Sequence, residues 1–173
     1  MLRITDVEAR VTTAATRIPF RYGIAEMTHA PHVVVQLRLA TGDGSGLGWA
    51  SEHLPPKWFI KDPDQTFAAE LRILGRSVLA ATPAATGLTG PTPFALWREL
   101  DRAQREWAGR EGCSGLVAGL GVALVERALI DAFCRKTDQP FADALASGAL
   151  GFDAGALHPE LGSEPFRPAR RNR

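Results

Sequence analysis

Apolar and polar residues alternate at the start of the chain, as they do in a strand that has one buried face. Leu2 and Ile4 share one parity, whereas Val7 and Val11 share the other. A β-bulge at residues 5–6 accounts for the change, because one extra residue turns the following side chains to the opposite face. The pattern therefore predicts a first strand with a bulge at that point.

Two further strands are predicted after a gap. Apolar residues occupy every second position from residue 33 to 39, which is typical of a half-buried strand. The Asp43-Gly44 pair then favours a hairpin turn, and a third strand is expected over residues 46–51. The glycines of residues 42–48 match no phosphate-binding motif and lie between two strands rather than before a helix, so we interpret them as the hairpin.

Two segments interrupted by proline lie beside these strands, and we predict that both are loops. Residues 17–31 contain Pro19 and Pro31, and residues 52–61 contain two adjacent prolines. Both segments also carry aromatic side chains. In a loop, such side chains either pack against the core or contact a ligand.

From residue 62 onwards the apolar residues recur at helical spacing. A first helix is expected to begin with Asp62 as its N-cap and to end at residues 83–87. Thr92 opens a second helix, Ser114 caps a third that reaches residue 136, and a short fourth begins near Pro140. Strands followed by helices indicate an α+β fold, here a three-stranded antiparallel meander followed by three to four helices.

The third of these helices is apolar around most of its circumference. Its second half keeps only a thin polar stripe, formed by Arg127, Asp131 and Arg135 at intervals of four residues. A helix with this pattern is nearly surrounded by protein. We therefore expect it to lie at the centre of the helical layer.

The composition narrows the classes of protein that the sequence fits. The chain has 173 residues, 45% of them apolar, and a net charge of +1, which is enough for a core and argues against nucleic-acid or membrane partners. Two cysteines do not form a disulfide framework and indicate a reducing, cytoplasmic location. The first ten residues lack the apolar stretch of a secretory signal.

No arrangement of reactive side chains in the sequence identifies a catalytic centre. His29, His32 and His53 lack the spacing of known metal-binding motifs, so no metal ligand is predicted. Neither a G-x-S-x-G motif nor a C-x-x-C pair occurs. Cys113 and Cys134 are accordingly interpreted as structural residues.

Several short segments occur along the chain in an informative order. They are ITDVE at 4–8, IPFRYG at 18–23, VVVQL at 33–37, GDG at 42–44 with GLGW at 46–49, ALIDA at 128–132 within the third helix, and QPF at 139–141. In this order and spacing they resemble the N-terminal capping domain of the enolase superfamily, specifically of the mandelate racemase/muconate lactonizing enzyme group. The resemblance covers residues 2–161.

The resemblance implies that catalysis and substrate selection belong to different domains. Complete relatives are isomerases and lyases that use Mg²⁺ to abstract a proton α to a carboxylate, in racemase, dehydratase or cycloisomerase reactions. Their Mg²⁺ ligands lie in a (β/α)8 barrel that follows this domain. The capping domain has no catalytic residue and no cofactor of its own, but its two loops close over the barrel and select a small carboxylate or acid-sugar substrate.

By position, the resemblance assigns the two capping loops to residues 20–32 and 52–59. The candidate substrate contacts in these loops are Tyr22, Met27, His29, Lys57 and Trp58. Lys57 would pair with an acidic group of the substrate, and Trp58 would cover an apolar or sugar face. The alternative is that Trp58 and its neighbour Phe59 pack against the first helix.

The same resemblance divides the chain into a capping domain at residues 1–150 and a remnant of a linker to a barrel at residues 151–173. The tail after Gly162 is rich in arginine and proline, and we expect it to be disordered. A frameshift or a truncated gene would explain that change; the chain is then expected to be inactive alone and to self-associate through uncovered apolar surface. Two alternatives stay open: a subunit completed by a separately encoded barrel, and a stand-alone binding or interaction module.

Overall fold

An antiparallel sheet with a layer of helices on its apolar face forms the protein, in a computed structural model that describes residues 1–22 and 25–162. The strands are β1 (Leu2–Tyr22), β2 (Ala25–Thr41), β3 (Gly44–His53) and β4 (Thr89–Gly90), in the order β3-β2-β1-β4. The predicted α+β class and three-stranded meander are confirmed. The two-residue strand β4, which pairs with the start of β1, was not predicted.

Five α-helices follow or interrupt the strands within the described residues. They are α1 (Pro56–Phe59), α2 (Phe67–Ala85), α3 (Pro93–Glu111), α4 (Gly115–Thr137) and α5 (Phe141–Ala146), and a 3-10 turn occupies Pro159–Leu161. In the part of the chain that the structure describes, no helix is both long enough and apolar enough to cross a membrane. The predicted disorder of the tail concerns residues 163–173, which lie outside the described residues.

The predicted bulge, buried alternation and hairpin turn of the sheet are confirmed. The register between β1 and β2 shifts between Ile4 and Asp6, where the sequence predicted a bulge. Val33, Val35 and the two leucines that follow at alternate positions are completely or almost completely buried. The hairpin between β2 and β3 has Gly42 and Asp43 in its turn, and the positive φ of 139° is that of Gly44.

The predicted loop at residues 17–31 is wrong. Residues 17–22 and 25–31 extend β1 and β2 into a long two-stranded ribbon, in which Ala15 pairs with His29 and Phe20 pairs with Met27 across a register shift. Residues 23–24 of the predicted loop lie outside the described residues. Pro31 lies beyond the residues of β2 that pair with β3, where proline is tolerated because its missing N–H is not required. Its carbonyl accepts a hydrogen bond from Leu54 N at 2.9 Å. Pairing with a partner strand outweighs the local signal of the prolines.

The predicted start of the first long helix is also wrong, whereas its end at Ala85 lies within the predicted range of residues 83–87. α2 begins at Phe67, because Thr66 is its N-cap and Thr66 Oγ1 accepts a hydrogen bond from Ala69 N at 3.3 Å. Asp62 instead stabilises a turn, accepting from Asp64 N at 2.9 Å. Pro83 lies within the last turn of α2 rather than beyond it. The caps predicted for α3 and α4, Thr92 and Ser114, are confirmed.

α4 packs against β2, β3, α2 and α3, as its largely apolar circumference predicts. The contact with β3 is close enough to require glycine, because a Cβ at Gly48 would overlap the backbone of Ala128 and Ala132. The polar stripe of α4 also contacts β3: Asp131 Oδ2 accepts a hydrogen bond from Trp49 N at 2.9 Å. The core beneath it is formed by fully buried side chains, among them Ile4, Leu37, Leu39, Leu74, Leu96, Leu100, Leu124 and Leu129.

Candidate functional site

Two adjoining cavities lie where the β1–β2 ribbon meets the segment that follows β3. We name them the Trp58 cavity, of about 360 Å³, and the Lys57 cavity, of about 300 Å³. Met27 and Pro55 line both of them. The remaining lining residues are Phe20, Glu52, His53, Trp58 and Phe59 in the Trp58 cavity, and Glu26, Thr28, His29, Ala30, Leu54, Lys57 and Phe67 in the Lys57 cavity.

The chain builds this site from two elements that the sequence assigned to separate loops. The ribbon continues β1 and β2 beyond the end of β3 and so presents Phe20 beside Met27. After β3 the chain is fixed to β2 by the hydrogen bond from Leu54 N to the Pro31 carbonyl. Pro56 then starts the short helix α1, since proline fits the first position of a helix.

Four of the five predicted contact residues are brought together here. Met27 lines both cavities, and His29 lines the Lys57 cavity with its Nδ1 atom 3.2 Å from Thr28 Oγ1. Trp58 lines the cavity named after it and is 62% exposed. The side chain of the fifth residue, Tyr22, lies outside the described part of the structure. A role in substrate contact stays a prediction for all five.

Lys57 has an internal partner that sequence reasoning missed. Its Nζ atom lies 2.5 Å from Glu70 Oε1 and donates to the Asp62 carbonyl at 3.3 Å. Glu70, in the first turn of α2, is completely buried, and its second oxygen, Oε2, has no hydrogen-bond partner among the described residues. A buried carboxylate is stable only when a cation or hydrogen bonds compensate for its lost hydration. Lys57 is the cation that compensates Glu70.

His53, which lines the Trp58 cavity, forms a pair with His32. His32 and His53 are cross-strand partners in β2 and β3, and their Nδ1 atoms lie 2.9 Å apart. Their rings meet edge to face, with centroids separated by 4.6 Å. Such a hydrogen bond needs one ring to donate and the other to accept, so at least one of the two rings is neutral. Only the register of β2 against β3 identifies this pair.

The described residues bring together no set of three or more His, Cys, Asp or Glu side chains that would hold a metal ion. The two cysteines are free thiols. Burial raises the pKa of the Cys134 thiol, and the carboxylate of Asp131 adds to that effect. A raised thiol pKa lowers the fraction of reactive thiolate, in agreement with a structural role for Cys134.

Comparisons with solved structures support the resemblance deduced from the sequence. A mandelate racemase/muconate lactonizing enzyme-like protein from Rubrobacter xylanophilus matches 83% of this chain at 26% identity, with a TM-score of 0.55. An enolase from Bradyrhizobium, solved with magnesium and mandelic acid, matches 83% at 19% identity and a TM-score of 0.55. The L-Ala-D/L-Glu epimerase of Bacillus subtilis matches 83% at 18% identity and a TM-score of 0.54.

These matches extend over only part of the larger proteins. The chain covers 33% of the Rubrobacter protein and 34% of each of the other two. No family model and no curated protein matches the sequence. The chain therefore has the fold of the N-terminal capping domain of the mandelate racemase/muconate lactonizing enzyme group, and it spans about one third of the length of the structures that it matches.

Proposed function

We propose that this chain, with the fold of an enolase-superfamily capping domain, serves as the substrate-capping and specificity part of a mandelate racemase/muconate lactonizing-type enzyme. The complete enzyme would abstract a proton α to a carboxylate, as a racemase, dehydratase or cycloisomerase, on a small carboxylate or acid sugar. In this proposal residues 1–150 are the capping domain, and residues 151–173 lead towards the barrel. The expected location is the cytoplasm.

The observation that carries the proposal is the convergence of the ribbon and the β3–α1 connection on one pair of cavities. The fold comparison supports the domain, and the convergence supports the role, because a cap needs side chains from two segments facing one space. Met27, His29 and Trp58 supply an apolar, a polar and an aromatic surface there. Such a surface excludes water from a bound substrate and distinguishes one substrate shape from another.

Lys57, which the sequence analysis expected to pair with an acidic group of the substrate, has a positioning role in this proposal. Its ammonium group is held by Glu70, so it positions α1. Trp58, the next residue, is thereby held at the rim of its cavity. We infer that Trp58 contacts the substrate and that Lys57 acts through it as a positioning residue.

In this proposal, magnesium is bound by the barrel of the complete enzyme and not by the capping domain. Two of the matched structures, the Bradyrhizobium enolase and an enolase from an alpha proteobacterium, contain magnesium. The described residues of this chain do not gather the converging oxygen ligands that Mg²⁺ requires. We therefore assign the ion to a barrel and assign no proton-transfer step to residues of this chain.

The first test is an exchange assay on the purified chain. Proton abstraction in D2O removes the α-hydrogen signal of the substrate, by deuterium incorporation when the enediolate is reprotonated and by conversion of the substrate when a β-group leaves, and NMR detects both. With Mg²⁺ and a panel of α-hydroxy acids and acid sugars, we expect no exchange from the chain alone. Exchange by the purified chain would contradict the proposal that a barrel supplies the chemistry.

The second test separates the proposal from its alternatives. Coding DNA on both sides of the gene should contain a barrel sequence, in the same or another frame, and co-expression of that barrel should yield a complex active in the exchange assay. In that complex, Trp58→Ala should raise KM about tenfold or more, because a large aromatic surface is lost from the cap. Leu79→Ala, at an exposed position of α2, is the matched control and should leave KM unchanged.

Either of two results would favour the alternatives. A stable complex with a barrel encoded elsewhere would identify a two-subunit enzyme. If no barrel sequence lies nearby and no barrel subunit is recovered from native extract, the capping proposal fails and the chain is a stand-alone binding module.

A further inference from the structure

An aromatic cavity lies between α3, α4 and α5, and it shares no lining residue with the candidate site. Its volume is about 310 Å³, at the lower end of the range of small-molecule sites. Phe94 and Trp97 stack with their ring centroids 5.4 Å apart, and Phe152 meets Phe94 edge to face at 5.5 Å. Phe141 and Leu129 complete the apolar wall.

Glu126 places a carboxylate in this otherwise apolar wall. It lies on the same face of α4 as Leu129 and Ile130, and it makes no hydrogen bond or salt bridge within the described part of the chain. The neighbouring cation, Arg127, is engaged elsewhere: its guanidinium donates to Glu52 Oε2 and to the Ala123 carbonyl, each at 3.3 Å. The half-buried carboxylate therefore faces the cavity without a counter-ion bonded to it.

We propose that this cavity binds a small organic ammonium compound with an aromatic or aliphatic body, its cation paired with Glu126 and its body packed among Phe94, Trp97 and Phe152. The charge and the apolar surface of such a ligand are complementary to those of the cavity. A carboxylate that lacks a bonded partner accepts charge-assisted hydrogen bonds from an ammonium group. Aromatic faces add cation–π attraction and bury apolar surface. An anionic ligand would be repelled, and a neutral one would leave the carboxylate unpaired.

The charged side chains near Glu126 do not neutralise its carboxylate. Asp101, on the adjacent helix α3, is an acid and repels the carboxylate. Arg127 attracts it electrostatically but is bonded to β3. Arg105, also on α3, is bonded to Asp101 at 2.6 Å. Glu126 therefore has no bonded cation among the described residues, and an external ammonium group would supply one.

The test uses the full chain and two probes that are nearly identical in shape. 2-Phenylethylammonium carries the charge, and 2-phenylethanol replaces the ammonium group with a neutral hydroxyl. Titration calorimetry and saturation-transfer NMR should show that the ammonium probe binds more tightly. Glu126→Gln should weaken the ammonium probe about tenfold, because one charge-assisted contact is lost, and should leave the binding of 2-phenylethanol unchanged.

Glu106→Gln is the matched control, since it removes the same charge from an exposed position on α3. Its affinity for the ammonium probe should equal that of the unmodified chain. The proposal is overturned if neither probe binds, if both bind equally, or if the two variants weaken the ammonium probe to the same extent. Equal weakening would mean that the net charge of the protein, not this cavity, attracts the cation.

The pH dependence of binding is a second test. It uses the unmodified chain, so it does not depend on whether a variant folds. Burial raises the pKa of the Glu126 carboxyl; Arg127 opposes this shift and Asp101 adds to it. As the pH falls through that raised pKa, Glu126 becomes neutral and the affinity for the ammonium probe should fall, whereas that for 2-phenylethanol should stay constant. An ammonium affinity that does not change with pH would rule out Glu126 as its partner.

Discussion

At the scale of single residues, the pair formed by Lys57 and Glu70 determines how the candidate site is held. Glu70 is completely buried, whereas the side chain of Lys57 is 39% exposed. The carboxylate has lost its hydration, and the ammonium at 2.5 Å replaces part of it. Removing the cation leaves an uncompensated charge in the interior, which costs far more than the loss of a surface ion pair.

Lys57→Met should therefore destabilise the chain. We expect its free energy of unfolding in urea to fall by about 3 kcal/mol, the size of effect found when one partner of a buried ion pair is removed. Lys61→Met is the control, because Lys61 is exposed and lies only four positions away; it should change the free energy by less than about 0.5 kcal/mol.

A double variant tests the electrostatic origin of that loss. When Glu70→Met is added to Lys57→Met, the buried charge disappears and most of the lost stability should return, because apolar residues of similar size replace buried ion pairs well. A Lys57→Met variant as stable as Lys61→Met would show that Glu70 does not depend on Lys57.

At the scale of elements, the packing of α4 on β3 places the sheet relative to the helices. Gly48 lies directly against the backbone of α4, whereas Glu52 and Trp49 further along β3 contact the polar stripe of that helix. Backbone contact without side chains brings the two elements closer than usual. The ends of β3, and with them α1 and both cavities of the candidate site, take their position from this contact.

Gly48→Ala should disrupt that packing. The added methyl group would overlap the Ala128 carbonyl and the Ala132 amide, which are backbone atoms of a helix and cannot move aside individually. We expect thermal or urea denaturation to show a loss of about 3 kcal/mol, at the upper end for overpacked sites.

The matched control for this substitution is Gly75→Ala in α2. Gly75 has open space where a Cβ would lie, and alanine is favoured over glycine in a helix by about 1 kcal/mol. That variant should be as stable as the unmodified chain or more stable. Equal stability of the Gly48 and Gly75 variants would contradict the close packing of β3 on α4.

At the scale of the whole molecule, the candidate site leaves a large apolar surface open to solvent. Phe20 is 54% exposed, Trp58 62% and Phe67 52%, and all three line the two adjoining cavities. Aromatic residues that are exposed together, rather than singly, mark a surface that another protein, domain or ligand covers. In the proposed function, a barrel with its substrate covers this surface.

Without such a partner, the purified chain should associate with itself. Sedimentation velocity should show an average mass that rises with concentration, and Phe67→Ser should weaken the association about tenfold, because one large side chain no longer becomes buried. Leu79→Ser is the matched control, on the same helix and at 67% exposure but outside both cavities. A monomer at all concentrations, or equal effects of the two variants, would contradict this prediction.

Features that depend on near neighbours in the chain could be predicted from the sequence. The bulge at residues 5–6, the buried alternation of β2, the caps Thr92 and Ser114, and the apolar circumference of α4 are all read from local spacing. Their physical basis is local as well, because strand parity, helix capping and helical periodicity act within a few residues. Their order along the chain was sufficient for the resemblance that the fold comparison confirms.

Contacts between groups that lie far apart in the sequence depend on the folded arrangement of the chain. Residues 17–22 and 25–31 form strands, although each segment contains a proline, because the two segments satisfy each other's backbone hydrogen bonds. The contact of Lys57 with Glu70, the histidine pair and the open carboxylate of Glu126 depend on register and helix packing. These contacts cannot be predicted from a local sequence pattern. The energy of a buried charge or a hydrogen bond depends on a partner that the fold brings from elsewhere in the chain.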